Sequence, residues 1–226
     1  MALTLDVKRC NPLKIGAILI SVLLHGIGPA IGLEFEQASL DKIEARYGRA
    51  ARLRLLTWKN LINTPTPLSD LEKLQKANDF FNQNTAFADD NVLWNSADYW
   101  ASPIEFLLKG AGDCEDYSIA KYFTLVEMGV DENKLRINYV KALELNQAHM
   151  VLTYYPTPNA EPLVLDNLQP IIKPASQRQD LLPIYSFNGT NLWLAKNTAN
   201  GNPAGSADQL SLWQNLKQKA LKLPDE

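Results

Sequence analysis

The chain has 226 residues, of which 46% are apolar and 21% are charged, and its formal net charge is −3. This length suits one domain with an ordinary hydrophobic core, and the composition has the balance of a globular protein. Because the chain carries no excess of positive charge and no block rich in lysine and arginine, nucleic acid is not expected as a partner.

The N-terminal segment has the pattern of a secretory signal. Basic residues precede the apolar run IGAILISVLL (15–24), and small residues follow it, with a plausible cleavage position near Ala30. The run is too short to span a bilayer comfortably. We therefore predict a signal peptide over 1–30, a periplasmic location, and one domain over 31–226. An uncleaved membrane anchor or a buried first helix is the alternative.

Helical patterns fill the first part of the predicted domain. Apolar spacing, capping residues and closing glycines predict helices over 33–48, 50–62, 70–82 and 103–110, and a further helix from Cys114 to Gly129. In the last of these the apolar residues recur three and four positions apart, so we expect it to bury one face.

Short segments rich in β-branched and aromatic residues follow that helix, and turn residues separate them. They predict an antiparallel sheet. The segments are 135–143, 149–156, 162–168, 182–187 and 191–195. A polar loop (197–208) and a closing helix (209–221) complete the chain. Helices followed by a run of strands indicate an α+β domain.

The stretch GAGDCEDYSIAKYF (110–123) places a thiol at the start of the central helix. The chain has two cysteines and two histidines, and Cys10 and His25 fall in the predicted signal. The exported domain would keep only Cys114 and His149, so it could form no internal disulfide. A free thiol in an oxidising compartment is either used chemically or buried and inert.

Three residues have the order and contexts that a nucleophilic thiol site needs. Cys114 begins a helix, where backbone N–H groups favour a thiolate and its own N–H could stabilise an oxyanion. His149 begins a strand and could take the thiol proton, while Asp166 closes a strand and could orient the imidazole. The alternative is a core histidine with satisfied hydrogen bonds and a turn-forming aspartate.

The acids around the thiol need a separate account, because negative charge disfavours a thiolate. Asp113, Glu115 and Asp116 are either first-turn acids that suit the helix dipole or oxygen ligands of a hard cation such as Ca²⁺. The run DCED has no known loop signature, so the residues by themselves favour the first interpretation. One cysteine and one histidine are too few for a zinc site.

Three motifs together resemble the bacterial transglutaminase-like cysteine proteinases. They are DYWASPIEFLLKGAGDCEDYSIAKYFTL (98–125), AHMVLTYY (148–155) and PLVLDNL (162–168), and the resemblance extends over roughly 35–190. It implies a papain-like or transglutaminase-like α+β fold, in which the cysteine-bearing helix packs on an antiparallel sheet. Cys114, His149 and Asp166 match the positions of the family's catalytic triad.

The resemblance also implies a biological setting. It implies calcium dependence, with Asp113, Glu115 and Asp116 as candidate ligands. The expected substrate is the N-terminal region of a large surface adhesin, cut near a pair of small residues, so that the adhesin is released and the biofilm disperses. The expected regulator is an inner-membrane receptor for cyclic di-GMP that sequesters the protease. Two other interpretations of the function stay open: an acyl transferase that uses the same triad, and a non-catalytic calcium-binding interaction module.

Overall fold

The computed structural model describes residues 33–195 and 203–223. The predicted signal peptide (1–30) lies outside the described residues, as does the first half of the predicted polar loop. Within the described ranges, no helix is both long enough and apolar enough to cross a membrane.

The helices predicted from the sequence are confirmed to within a few residues at their ends. The structure has α1 (Gln37–Tyr47), α2 (Arg49–Ile62), α3 (Asp70–Asn84), α4 (Asp90–Leu93), α5 (Pro103–Lys109), α6 (Cys114–Glu127) and α7 (Ser211–Lys219). The single turn α4 was not predicted.

Local sequence explains where two of these helices begin and where one ends. Ser69 and Ser102 form capping boxes with Glu72 and Glu105, which satisfies free backbone N–H groups at the starts of α3 and α5. Gly110 ends α5 in the left-handed conformation, with φ of 69°. The chain can therefore turn sharply before α6 begins.

Two sheets are present in the part of the chain that the structure describes. A small parallel pair joins β1 (Ala86–Phe87) to β2 (Ala111–Gly112). The main sheet has the order β6-β5-β4-β3-β7-β8-β9, and all neighbouring strands in it are antiparallel. Its strands are β3 (Leu135–Ala142), β4 (Gln147–Tyr154), β5 (Leu163–Leu165), β6 (Lys173–Pro174), β7 (Leu181–Phe187), β8 (Asn191–Leu194) and β9 (Gly205–Ser206). The two-residue strands were missed, because they are too short to show alternation.

Helix α6 is buried on two sides, which fixes the position of its first residue. One side packs on β3 and β4 through residues such as Ile119 and Leu125. The other side packs on α2 and α5 through Ala120, and Trp58 of α2 donates a hydrogen bond to Thr124 at 2.8 Å. Burial of each large apolar side chain contributes roughly 1.5–3 kcal/mol. The predicted α+β arrangement, with the cysteine-bearing helix against an antiparallel sheet, is confirmed.

Candidate active site

Cys114 is the first residue of α6 and is half-buried. Together with His149 it lines a cavity of about 630 Å³. The thiol donates a hydrogen bond to Oε2 of Glu115 at 3.0 Å, and the backbone N–H of Met150 donates to the sulfur. The thiol therefore lies at the surface of an open cleft and touches both the helix start and strand β4.

His149 lies on β4 and is held from behind the cavity by Asp166, which directly follows β5. Nε2 of the imidazole lies 2.8 Å from Oδ1 of Asp166, and both residues are almost fully buried. Burial alone would raise the pKa of Asp166, but hydrogen bonds from His149 and Arg178 outweigh it and lower the pKa. An ionised carboxylate only accepts hydrogen bonds, so Nε2 carries the proton in this contact, and in the neutral imidazole Nδ1 is then the acceptor.

The backbone carbonyl of Asp166 also accepts two hydrogen bonds. Nδ2 of Asn82 donates to this oxygen at 2.9 Å and Nζ of Lys121 donates at 3.1 Å. Lys121 belongs to α6 and is only 1% exposed. Burial lowers the pKa of Lys121 to about 7, although Asp166 and Asp79 partly oppose this effect. The helix that carries Cys114 is thus tied directly to the residue that orients His149.

A group of three carboxylates lies beside the thiol. Asp90 of α4, Asp113 and Glu115 each offer an oxygen, and these atoms lie within 4.8 Å of one another. Asp113 and Glu115 were predicted as ligands, but Asp90 was missed. The only signal for Asp90 is the acid pair in ADDN (88–91), within a segment of mixed character that shows no periodicity.

The chemistry of this carboxylate group fits a hard cation. Oδ1 of Asp90 and Oδ1 of Asp113 are both buried without a hydrogen-bond partner. Burial, reinforced by the charge of Glu115, raises the pKa of Asp113 to about 9. Burial likewise raises the pKa of Asp90, although the backbone N–H of Tyr99 opposes this shift. Unpaired carboxylate oxygens from separate segments are the ligands that Ca²⁺ takes, and a cation would remove their mutual repulsion.

Asp116 lies outside the group of three carboxylates, although the sequence placed it among the candidate ligands. It is fully buried, and its two oxygens accept hydrogen bonds from the backbone N–H groups of Ala101, at 2.8 Å, and Asp113, at 3.3 Å. It joins the segment before α5 to the start of α6. The physical reason is position: the third residue of a helix reaches back to the backbone N–H of the capping residue.

The protein's own charges oppose a thiolate at Cys114. Burial raises the pKa of the thiol well above its ordinary value, and the charge and hydrogen bond of Glu115, together with the charge of Asp113, raise it further. The sequence led us to expect a pKa lowered by the helix N-terminus, and this expectation is wrong for the protein groups alone. Desolvation and two adjacent carboxylates outweigh the hydrogen bond from the backbone N–H of Met150, which lowers the pKa of the thiol.

Aromatic residues shape the cavity around the thiol. Trp100 lines it and stacks on Phe187, with ring centroids 5.7 Å apart, whereas Tyr139 and Tyr185 stack on each other at 5.1 Å. Phe87 contributes an exposed apolar side chain to the lining. Such a cleft, open to solvent and partly apolar, can accept an extended peptide segment beside Cys114 and His149.

Comparison with known proteins identifies the family. A model of the bacterial transglutaminase-like cysteine proteinases matches residues 59–195. The chain belongs to this family. As a member of this family, the protein is a cysteine peptidase. The resemblance seen in the sequence is confirmed. The comparison with curated protein sequences found no significant match.

Three solved structures of Legionella pneumophila LapG superpose on this chain. Legionella pneumophila LapG is 44% identical, with a TM-score of 0.68 over 80% of this chain and 95% of that one. The calcium-bound form of Legionella pneumophila LapG is 45% identical, with a TM-score of 0.67 over 80% of this chain and 98% of that one. A third structure is the same protein after EGTA treatment, at 44% identity, 80% and 97% coverage and a TM-score of 0.69. The predicted fold family is confirmed.

Proposed function

We propose that this protein is a calcium-dependent cysteine endopeptidase in which Cys114 is the nucleophile, His149 the general base and acid, and Asp166 the orienting carboxylate. The observation that carries the proposal is the bond between His149 and Asp166 behind a cavity that Cys114 also lines. A nucleophile, a base and an orienting group in this arrangement form the minimal machinery of acyl transfer.

The reaction follows from these groups. The thiol proton passes to Nδ1 of His149 while the sulfur attacks the scissile carbonyl carbon, and the backbone N–H of Cys114 donates to the resulting oxyanion. As the carbon–nitrogen bond breaks, the imidazolium gives its proton to the departing amine and leaves a thioester on Cys114. Water then attacks the thioester, its proton passes to His149, and cleavage of the carbon–sulfur bond returns the thiol.

The carboxylates of Asp90, Asp113 and Glu115 would hold the calcium ion. Bound Ca²⁺ would offset the negative charge that now raises the pKa of the Cys114 thiol. Two features support this assignment: the buried oxygens of Asp90 and Asp113 that lack partners, and the calcium-bound form of Legionella LapG. Asp116 has a structural role in the proposal, because backbone N–H groups already engage both of its oxygens.

The proposed setting is the periplasm. The signal-like pattern over 1–30 supports export, and the likeness to Legionella LapG over nearly the whole of that chain supports a shared role. The substrate in this proposal is the N-terminal region of a large surface adhesin, whose cleavage releases the adhesin and promotes biofilm dispersal. An inner-membrane receptor for cyclic di-GMP would sequester the enzyme while the nucleotide is abundant.

Cleavage of a purified N-terminal adhesin fragment tests this function. The wild-type protein is incubated with the fragment in Ca²⁺ and in a calcium chelator, next to Cys114→Ala and the matched control Cys10→Ser. We expect one major cut near a pair of small residues, in Ca²⁺ only, by the wild type and by Cys10→Ser. Cleavage by Cys114→Ala would refute the catalytic assignment.

The same assay separates the other interpretations. Equal cleavage in Ca²⁺ and in the chelator would indicate that Asp113 and Glu115 are first-turn acids without a metal role. Transfer of an added primary amine onto the fragment, seen as a mass increase, would identify an acyl transferase instead. If the wild type and Cys114→Ala act identically on the adhesin fragment, this result would favour a non-catalytic module.

A further inference from the structure

We infer that Arg178 is a positioning residue for the reaction: it fixes the carboxylate of Asp166 in the orientation that His149 requires. The inference rests on the proposed triad and extends it by one residue. This role has no sequence signal, because Arg178 lies in the polar stretch ASQRQD (175–180) between β6 and β7.

The two oxygens of the Asp166 carboxylate have separate partners. Nη2 of Arg178 donates to Oδ2 at 2.7 Å. Oδ1 lies 2.8 Å from Nε2 of His149 and accepts the backbone N–H of Leu168 at 3.0 Å. Rotation of the carboxylate would break the bonds on both sides at once. Arg178 therefore helps to hold the carboxylate in the orientation that places one oxygen against the imidazole.

Arg178 is itself held in place by Asp180. Its Nε donates to Oδ1 of Asp180 at 2.9 Å, and its Nη2 donates to Oδ2 at 2.8 Å. Such a two-point contact between guanidinium and carboxylate is strong and restricts orientation. The carbonyl of Asp180 accepts the backbone N–H of Leu143, at the end of β3, at 2.8 Å. Hydrogen bonds through Asp180 and Arg178 thus connect the main sheet to Asp166.

The positive charge of Arg178 also helps to keep the buried carboxylate of Asp166 ionised. Asp166 is 1% exposed, and a buried carboxylate needs a partner to remain ionised. Arg178 is 5% exposed, so its bond to Asp166 is little weakened by solvent. Lys121 contributes differently, because it contacts the backbone carbonyl of Asp166 and not the carboxylate. Buried ion networks can also be purely structural, so the test must separate positioning from stability.

The test uses NMR of the full chain labelled with ¹⁵N-histidine and carrying His25→Gln, so that His149 gives the only imidazole signals. Arg178→Met removes the donor, and Arg178→Lys keeps the charge without the two-point geometry. Arg136→Met is the matched control: Arg136 is 6% exposed and lies over the rings of Tyr155 and Trp193. Melting temperature, kcat and KM on the adhesin fragment are measured for each variant.

We expect the wild type and Arg136→Met to show His149 protonated at Nε2, with a slowly exchanging proton. Arg178→Met should show a mixture of both tautomers and faster exchange. Its kcat should fall about 10–100-fold while KM changes less than about threefold, as expected for groups that orient a reacting residue. Arg178→Lys should recover part of both the tautomer signal and kcat.

The inference is overturned if the His149 signals of Arg178→Met equal those of the wild type, or if kcat falls equally in Arg136→Met. If Arg178→Met does not fold, Arg178→Lys decides: unchanged His149 signals and unchanged kcat would overturn the inference. Absence of cleavage by the wild type would refute the proposed function alone, because the His149 signals report the positioning without any substrate.

Discussion

Glu115 accepts the hydrogen bond of the Cys114 thiol, with 3.0 Å between Oε2 and Sγ, and the same side chain belongs to the carboxylate group formed with Asp90 and Asp113. One carboxylate is therefore shared between the proposed nucleophile and the proposed calcium site. A cation that engages Glu115 competes with the thiol for the same oxygens. This relationship links metal binding to thiol reactivity through a single residue.

Replacing Glu115 with glutamine should make the thiol more reactive in the absence of calcium. The substitution removes one of the negative charges that raise the pKa of Cys114. If that charge accounts for one pKa unit or more, alkylation by iodoacetamide at pH 8 in a chelator should be about tenfold faster. Mass spectrometry of the labelled peptide in a Cys10→Ser background measures this rate.

Glu127→Gln is the matched control, since Glu127 is an exposed acid at the far end of α6. Its alkylation rate should equal that of the parent protein. An equal or slower rate for Glu115→Gln would show that Glu115 does not restrain the thiol.

Replacing Asp90 with asparagine should weaken calcium binding. The change removes one of three carboxylates, and affinity at such sites depends on the number of charged ligands. We expect the dissociation constant for Ca²⁺, measured by titration calorimetry, to rise about tenfold or more. Added calcium should raise the melting temperature of the wild type and have a much smaller effect on the variant.

Asp89→Asn controls for the loss of a nearby charge, because Asp89 is exposed and outside the three-carboxylate group. Its calcium affinity should change much less. Equal weakening by both substitutions would indicate a diffuse electrostatic effect and not a ligand at Asp90.

Replacing Lys121 with methionine should change how stability depends on pH. Because the pKa of Lys121 is lowered from 10.5 to about 7 in the folded protein, the unfolded chain binds more protons between these values. The free energy of unfolding of the wild type should therefore rise with pH across this window, by about 2 kcal/mol between pH 7 and pH 9 from this residue alone. Lys121→Met should lack this contribution.

Urea unfolding at both pH values measures the effect. Lys76→Met, which changes an exposed lysine on α3, should keep the wild-type dependence. An equal gain in stability between pH 7 and pH 9 for Lys121→Met and the wild type would show that the pKa of Lys121 is not lowered in the folded protein.

Replacing Gly112 with alanine should destabilise the start of α6. A Cβ atom there would collide with the Asp116 side chain and would lie 2.8 Å from Cδ2 of Phe106. Overpacking of this kind costs about 1–3 kcal/mol, and it would disturb the hydrogen bonds of Asp116. Gly48→Ala is the comparison, because that site is open and only its φ of 84° is unfavourable, at about 1 kcal/mol. Urea unfolding should rank Gly112→Ala as the less stable; the reverse order would contradict the packing described.

Much of the fold could be predicted because its signals are local. Ser69, Ser102 and Gly110 mark helix ends through interactions within a few residues, and alternating β-branched residues mark the longer strands. The triad candidates could also be predicted, since the chain contains so few cysteines and histidines. These inferences need no knowledge of distant contacts.

The features that were missed depend on contacts between distant segments. Asp90 joins Asp113 and Glu115 only after α4 folds beside the start of α6. Arg178 reaches Asp166 across twelve positions of loop and short strand. The expected lowering of the thiol pKa was wrong for the same reason, because burial and neighbouring charges are set by tertiary structure.

Whether Cys114 is the nucleophile is tested most directly by rapid acid quenching of the wild-type protein with the adhesin fragment in Ca²⁺, followed by mass spectrometry of the intact enzyme. We expect a transient enzyme species that carries the N-terminal cleavage product as a thioester on Cys114, and we expect no such species in Cys114→Ala or in chelator. Cleavage by Cys114→Ala, or an acyl group on another residue of the wild type, would show that Cys114 is not the nucleophile.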